Sequence, residues 1–309
     1  MNKFFKYLIC LLSLTLIVGC SSTKKEEDEN NNDIGISDAQ EPANILCPSG
    51  APALAFVSEY ESITTEGKID FVDGSDALVA ELSKADSEYD IIVAPINVGA
   101  KLIETDQTDY RLSSVITWGN LYYVGTDEES LQRTGELALF GQGAVPEKIV
   151  EATNIETTLT PTYYSSATLV QQQLLSGNAV AGLLAEPLAS ATIAKGKQEG
   201  IPLQIITDLQ TEYGDGNGYP QAAIFVKNNS SHSMLFDNID VFTNDGYTGL
   251  QKYLEDIGVE TLNLPSVELV VSSMERQNVH YKPAKDCKEE ITEFLQLFGI
   301  TFSDEMLAS

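Results

Sequence analysis

The sequence predicts an α/β protein built as two lobes, and three observations carry that expectation. From residue 43 onward, short strand-like runs alternate with short apolar helices, the pattern of parallel strands covered by helices. The alternation breaks at 111–125 (RLSSVITWGNLYYVG), where two extended segments follow one another around Gly119-Asn120. The length of 309 residues suits about two domains at ~150 residues each.

The elements follow in order. Residues 43–47 (ANILC) form a short apolar strand, then Pro48-Ser49-Gly50 turns into an apolar helix over 51–60. Residues 68–72 (KIDFV) alternate as a strand does, and Asp73-Gly74-Ser75 opens a helix over 76–84 with Ala77, Leu78, Ala80 and Leu82 apolar. Residues 89–94 (YDIIVA) give a third strand, and Pro95-Ile96-Asn97 leads into a helix over 98–104. After 111–125 the alternation resumes. A strand at 137–140 and the loop Gly141-Gln142-Gly143 precede a helix over 146–152 that starts on proline. A strand over 158–163 leads to Ser165-Ser166, which cap a helix over 167–175. Residues 180–184 are a strand, Glu186-Pro187 starts a helix over 188–195, and 203–207 is a strand. The stretch 213–220 (YGDGNGYP) is loop by composition. A last strand covers 221–227, and the remainder reads as mostly helical, including 286–297.

The first twenty residues read as an address. Lys3 and Lys6 precede a 12-residue apolar run, 7–18 (YLICLLSLTLIV), too short for the ~20 residues of a spanning helix but suited to a signal core. The run ends in Ile17-Val18-Gly19-Cys20. Residues 21–42 are polar and without apolar period, the composition of a disordered tether reaching roughly 25 Å. Against 18 Lys plus Arg stand 46 Asp plus Glu, a net charge of −28. That balance excludes a phosphate-neutralising surface and so a nucleic-acid role. It also makes anionic lipid headgroups repel the folded part.

In open parallel sheets ligands bind beyond the carboxyl ends of strands, near helix N-termini. There the chain places Ser49, Gly50, Ala51, Gly74, Ser75, Pro95, Asn97, Gly141, Gly143, Ser165, Ser166 and Glu186. Glycines allow close backbone approach, and hydroxyls and helix N–H groups favour polar or anionic atoms. Trp118, Asn120 and Tyr164 lie at the crossings or in these loops and can stack on or bond to a ligand. Arg111, Arg133 and Arg276 are the three arginines, and none follows a strand, so a bidentate clamp on an anion has no evident donor. No nucleophile elbow, zincin or P-loop pattern occurs, and His232 and His280 both fall in the helical tail, away from the serines. An enzyme, a cofactor and a metal site are therefore not expected. Cys47 and Cys287 remain outside the leader and are read as buried thiols, with a disulfide left open.

Several segments carry a resemblance. Ile17-Val18-Gly19-Cys20 resembles the lipobox of bacterial lipoproteins, which implies lipidation of Cys20 after loss of residues 1–19. Residues 48–55 (PSGAPALA), 89–95 (YDIIVAP), 181–187 (AGLLAEP) and Arg276-Gln277-Asn278 resemble the lipid-anchored solute-binding proteins of bacterial ABC importers. Within these the chain is similar to the branch of nitrate, taurine, alkanesulfonate and thiamine-precursor binders. The resemblance covers about 43–300. It implies the type II periplasmic-binding-protein fold, each lobe a mixed sheet flanked by helices. Lobe 1 would comprise 43–117 and 224–309, and lobe 2 118–223, with a hinge near Trp118-Gly119 and near 219–223. It further implies a monomer on the outer face of the cell membrane, held by lipid alone, that passes a small molecule to a permease and its ATPase; the alternative is a ligand-sensing or surface interaction lipoprotein that uses the same cleft without transport.

Overall fold

The structure, a computed structural model, describes residues 42–227 and 232–308. The leader, Cys20 and all of the tether but its last residue lie outside the described residues. Among the described residues no helix is long and apolar enough to cross a membrane.

The first α/β run folds as expected. Strands β1 (Asn44–Pro48), β2 (Lys68–Val72) and β3 (Ile91–Pro95) pair in parallel. The helix expected over 51–60 is instead a 3-10 segment, Ala51–Phe56, followed by α1 (Tyr60–Glu66). Its first residues are apolar on every side because Ala53, Leu54, Ala55 and Phe56 are wholly buried, so no amphipathic period marked its pitch. Helix α2 (Asp76–Leu82) buries Leu78 and Leu82, and α3 (Ile96–Glu104) leads to β4 (Tyr110–Thr117).

After β5 (Leu121–Gly125), the second run supplies β6 (Glu136–Phe140), α4 (Val145–Thr153), β7 (Thr160–Tyr164), α5 (Ala167–Leu175) and β8 (Ala181–Ala185). Helix α6 (Leu188–Glu199), strand β9 (Gln204–Asp208) and the single turn α7 (Leu209–Glu212) complete it. The chain then returns through β10 (Ala222–Lys227) to α8 (Ser233–Asn244), α9 (Leu250–Ile257) and α10 (Val267–Gln277). A strand absent from the sequence reading, β11 (Val279–Pro283), interrupts the helical tail before α11 (Lys288–Gln296). Its composition, VHYKP, lacks the apolar alternation of a half-buried strand, because it forms the edge of its sheet and buries mainly Val279.

Two mixed sheets result. One has the order β11-β4-β10-β3-β1-β2, with β10 antiparallel to both β3 and β4. The other has the order β7-β6-β8-β5-β9, with β6, β7 and β8 parallel and β5 running against β8 and β9. Period-two alternation sorts the core. Ile91, Val93, Ile224 and Val226 face one layer, with Leu235, Ile239 and Leu254 of the returning helices, while Ile92, Ala94, Ala223 and Phe225 face another. That second layer continues without a break to Leu137, Leu139 and Leu183 of the other sheet by way of Leu209, Tyr219 and Phe294. Tyr219 stacks on Phe294 at 5.6 Å and 6°, so the C-terminal helix packs on the crossing. Cys47 and Cys287 sit in different core layers as free, buried thiols, and burial raises both pKa values.

Candidate functional site

The carboxyl ends of β1, β2 and β3 lie along one edge of the first sheet, and those of β6, β7 and β8 along one edge of the second. The strand-end loops keep the conformations that their residues suggest. Gly50, Gly74, Gly141 and Gly143 all have positive φ, between +72° and +91°. At Gly141 a Cβ would meet the Pro146 ring, whereas at Gly143 it would meet open space. Ser49 N–H donates to Val72 O at 2.9 Å, tying the first two loops, while Gly74, Ser75, Ser165 and Ser166 are exposed. Ser166 caps α5 by accepting from Leu169 N–H at 3.3 Å. Ala51 is buried in the core and offers no side chain to a ligand.

Two expected contacts are spent inside the protein. The Trp118 ring is 4% exposed, stacked on His280 at 5.1 Å and 6°, with Lys282 Nζ 5.3 Å from its centroid, and its indole N–H donates to His280 O. It therefore anchors the crossing to β11, and its ring faces are not open for stacking. Tyr164 donates its hydroxyl to Glu136 Oε1 at 2.6 Å, and that bond raises its pKa. Neighbouring Tyr163 is pushed up to about 12 by burial and by Glu147.

The structure joins Asn120 and Glu186 in one line of hydrogen bonds between the sheets and brings the end of β3, with Pro95 and Asn97, to the same crossing. Asn120, 4% exposed, donates from Nδ2 to Glu186 O at 3.2 Å and accepts Glu186 N–H at 3.0 Å. Gln221, absent from the sequence reading, donates from Nε2 to Asn120 Oδ1 at 3.2 Å, and its carbonyl accepts Ile96 N–H. Pro95 pairs with Ala222 at the end of β3, and Asn97 follows two residues later in the first turn of α3.

Glu186 has a fully buried side chain, and its carboxylate is engaged. It accepts Ser190 N–H at 3.0 Å, Ser190 Oγ–H at 2.8 Å and Arg276 Nε–H at 2.8 Å. Arg276 also donates to Ser190 Oγ at 2.9 Å, and its backbone carbonyl accepts the Tyr122 hydroxyl at 2.7 Å. The expectation that Glu186 meets a ligand is thus corrected: its charge holds α10 of the first sheet to β8 and α6 of the second. Ser190 had a local signal, an i,i+4 spacing from Glu186. Arg276 had none, since 90 residues separate the partners.

A cavity of about 270 Å³ opens behind this pair, lined by Tyr122, Asp208, Gln210, Gly218, Arg276 and Asn278. Another, of about 610 Å³, lies between α9 and α10. Neither includes a strand-end loop.

His280 links the site to pH. Burial first, and the Lys282 charge second, lower its pKa from the ordinary 6.5 to about 4. The folded state holds it neutral, so the unfolded chain binds the extra proton between those values. Stability from this group is complete above pH 6.5 and is lost as pH falls toward 4. The expected loss is about 3 kcal/mol once His280 is protonated in the folded state as well, below about pH 4. A His280→Gln variant should flatten the pH dependence of the urea midpoint between pH 6.5 and 4, while an unchanged slope would locate the titration elsewhere.

No protein-family model matches the chain, and no curated protein matches its sequence. Solved structures do. An ABC transporter protein of Parabacteroides distasonis superposes with a TM-score of 0.72 at 20% identity, over 87% of this chain and 99% of that one. The periplasmic aliphatic sulphonate binding protein of Escherichia coli gives 0.63 at 15% identity, over 87% and 92%. The alkanesulfonate-binding protein of Xanthomonas axonopodis pv. citri, bound to MOPS, gives 0.54 at 15% identity, over 87% and 98%. With two mixed sheets joined by crossings at 117–121 and 208–222, each sheet with a strand running against its parallel neighbours, the chain has the type II periplasmic-binding-protein fold.

Proposed function

We propose that the chain is an extracytoplasmic solute-binding lipoprotein that captures a small molecule between two lobes and presents it to an ABC permease and its ATPase. The observation that carries this reading is the chain of hydrogen bonds Ile96–Gln221–Asn120–Glu186, which runs from the carboxyl end of β3 in one sheet to that of β8 in the other at the crossings. The three similar structures named above are an ABC transporter protein and two sulfonate-binding proteins, which supports the same role. In this reading lobe 1 comprises 43–117 and 224–309 and lobe 2 118–223, and the segments about Trp118 and 219–223 act as hinge. Cys20 carries the lipid, residues 20–42 are the tether, and the protein works as a monomer on the outer face of the membrane.

Ligand contacts made only when the lobes approach would stabilise that arrangement, and the permease would read it. Tethering raises the local concentration for that encounter. No bond of the ligand is made or broken.

A thermal-shift screen of small solutes tests the reading. A ligand at a thousand times its Kd adds about 4 kcal/mol, or roughly 8–16 °C in Tm for a protein of this size. Given such a ligand, replacing Ser165 and Ser166 together by Phe should abolish the shift. The unliganded protein should lose only about 1 kcal/mol, through the missing α5 cap. An intact shift in that variant would remove the β7 loop from the site.

A further inference from the structure

We infer that the ligand of this cleft presents N–H or O–H donors and carries no anionic group. The inference rests on the binding reading above and names the chemistry of that same site. It starts from two oxygens. Asn97 Oδ1 and Gln221 Oε1 are buried and have no hydrogen-bond partner among the described residues. Both residues belong to the same strand end, because the backbone carbonyl of Gln221 accepts the N–H of Ile96, the residue before Asn97, where β3 ends and α3 begins.

The Gln221 amide cannot simply be turned to remove its orphan. Asn120 is oriented by its Nδ2 bond to Glu186 O, which leaves Asn120 Oδ1 as acceptor, and that acceptor takes Gln221 Nε2–H. The network therefore assigns Gln221 Oε1 as the free end. Other buried oxygens without partners, Ser58 Oγ, Ser114 Oγ and Gln277 Oε1, sit in a turn, within β4 and at the end of α10, away from the strand ends. Unpartnered carbonyl oxygens want donors, and an anion would add acceptors to acceptors.

The positive charges tell the same story. Arg276 is neutralised by the buried Glu186 carboxylate. Arg133 pairs with Asp127, and Arg111 donates to the carbonyls of Thr108 and Tyr110. Lys101 and Lys148, on the helices that follow β3 and β6, pair with Glu104 and Glu151 on their own helices. No guanidinium is left at the strand ends to clamp a sulfonate or carboxylate. The net charge of −28 acts in the same sense, drawing cations toward the protein and slowing the approach of anions.

The mechanism is selective closure. Water can satisfy the two oxygens when the lobes part, and only a donor-bearing ligand can satisfy them when the lobes meet. An anionic ligand without N–H or O–H donors would leave both oxygens unpaired and find no free guanidinium, so it would not favour approach of the lobes.

The test uses the full chain in thermal-shift and calorimetric titrations with two sets of probes. Spermidine, choline, neutral amides and sugars form one set; ethanesulfonate, nitrate and succinate form the other. The expected result is a shift of several °C from a member of the first set and none from the second. Asn97→Leu is then decisive. It removes an unpaired oxygen, so the unliganded Tm should hold or rise, while affinity for the active probe falls at least tenfold. Binding of ethanesulfonate, nitrate or succinate overturns the inference and leaves the binding reading intact. Full affinity in Asn97→Leu, or a lower unliganded Tm, also overturns it, since the residue would then be structural. Failure of every probe, with no small molecule found on the purified chain by native mass spectrometry, overturns both.

Discussion

Replacing Gly218 by Ala should destabilise the protein by about 3–5 kcal/mol, the largest effect expected of so small a change. Gly218 holds φ +85°, a conformation that costs an L side chain roughly 1–2 kcal/mol. Its added Cβ would lie 2.2 Å from Trp118 O and 3.1 Å from Asn278 Nδ2. Those atoms form the knot of the crossing, where Trp118 O accepts Asn278 Nδ2–H at 2.6 Å and Tyr219 N–H at 3.2 Å. Backbone cannot yield there as a flexible side chain would, so the substitution must break hydrogen bonds between the two crossing segments and α10. Gly143→Ala is the matched control, with φ +77° and open space around the added carbon. It should cost only about 1–2 kcal/mol of backbone strain. Urea midpoints of the two variants decide the matter, and equal losses would mean that the close approach at Trp118 is not felt.

Arg276→Ala should cost about 2–4 kcal/mol, because it leaves the Glu186 carboxylate buried with Ser190 as its remaining partner. The loss is placed below the upper range for buried pairs because the Arg276 side chain is itself 41% exposed. Arg276→Lys should recover little, since an ammonium has one nitrogen and cannot reproduce the planar fork whose Nε and Nη2 reach Glu186 Oε1 and Ser190 Oγ separately. Glu186→Gln should be milder than Arg276→Ala, for it leaves no buried charge alone. The order Arg276→Ala worse than Glu186→Gln in denaturant melts is the signature sought; the reverse order would assign the stabilisation to the Ser190 bonds.

Much of the architecture was legible from residue 43 onward. Local periodicity placed β1 to β10, α2 to α6 and α11 within a few residues, because the strands alternate between core layers and those helices begin at recognisable turns, whereas α8 to α10 were legible only as a helical stretch. Ser166 and Ser266 cap α5 and α10 as their types suggest. The edge strand β11 escaped notice because an edge needs little apolar alternation. The pitch of 51–56 escaped because a segment buried on every side has no period to read.

The site was legible only in part. Sequence marked Asn97, Asn120 and Glu186 by their place after or between strands, but not their roles. Trp118 looked like a stacking surface and proved to be a buried anchor on His280. Glu186 looked like a ligand contact and proved to be the partner of Arg276.

What the sequence by itself determined is the class and order of the fold, since strand and helix periods are local and the break at 111–125 is a local change of pattern. Tertiary structure decided which side chains remain available. Pairs separated by 90 and 101 residues, Glu186 with Arg276 and Asn120 with Gln221, form only once the two sheets are placed, and they consume a charge and orient an amide that no short window relates. The physical reason is that hydrogen-bond and charge satisfaction are settled by what lies within about 3 Å in space, whereas periodicity reports only what lies within a turn or two along the chain.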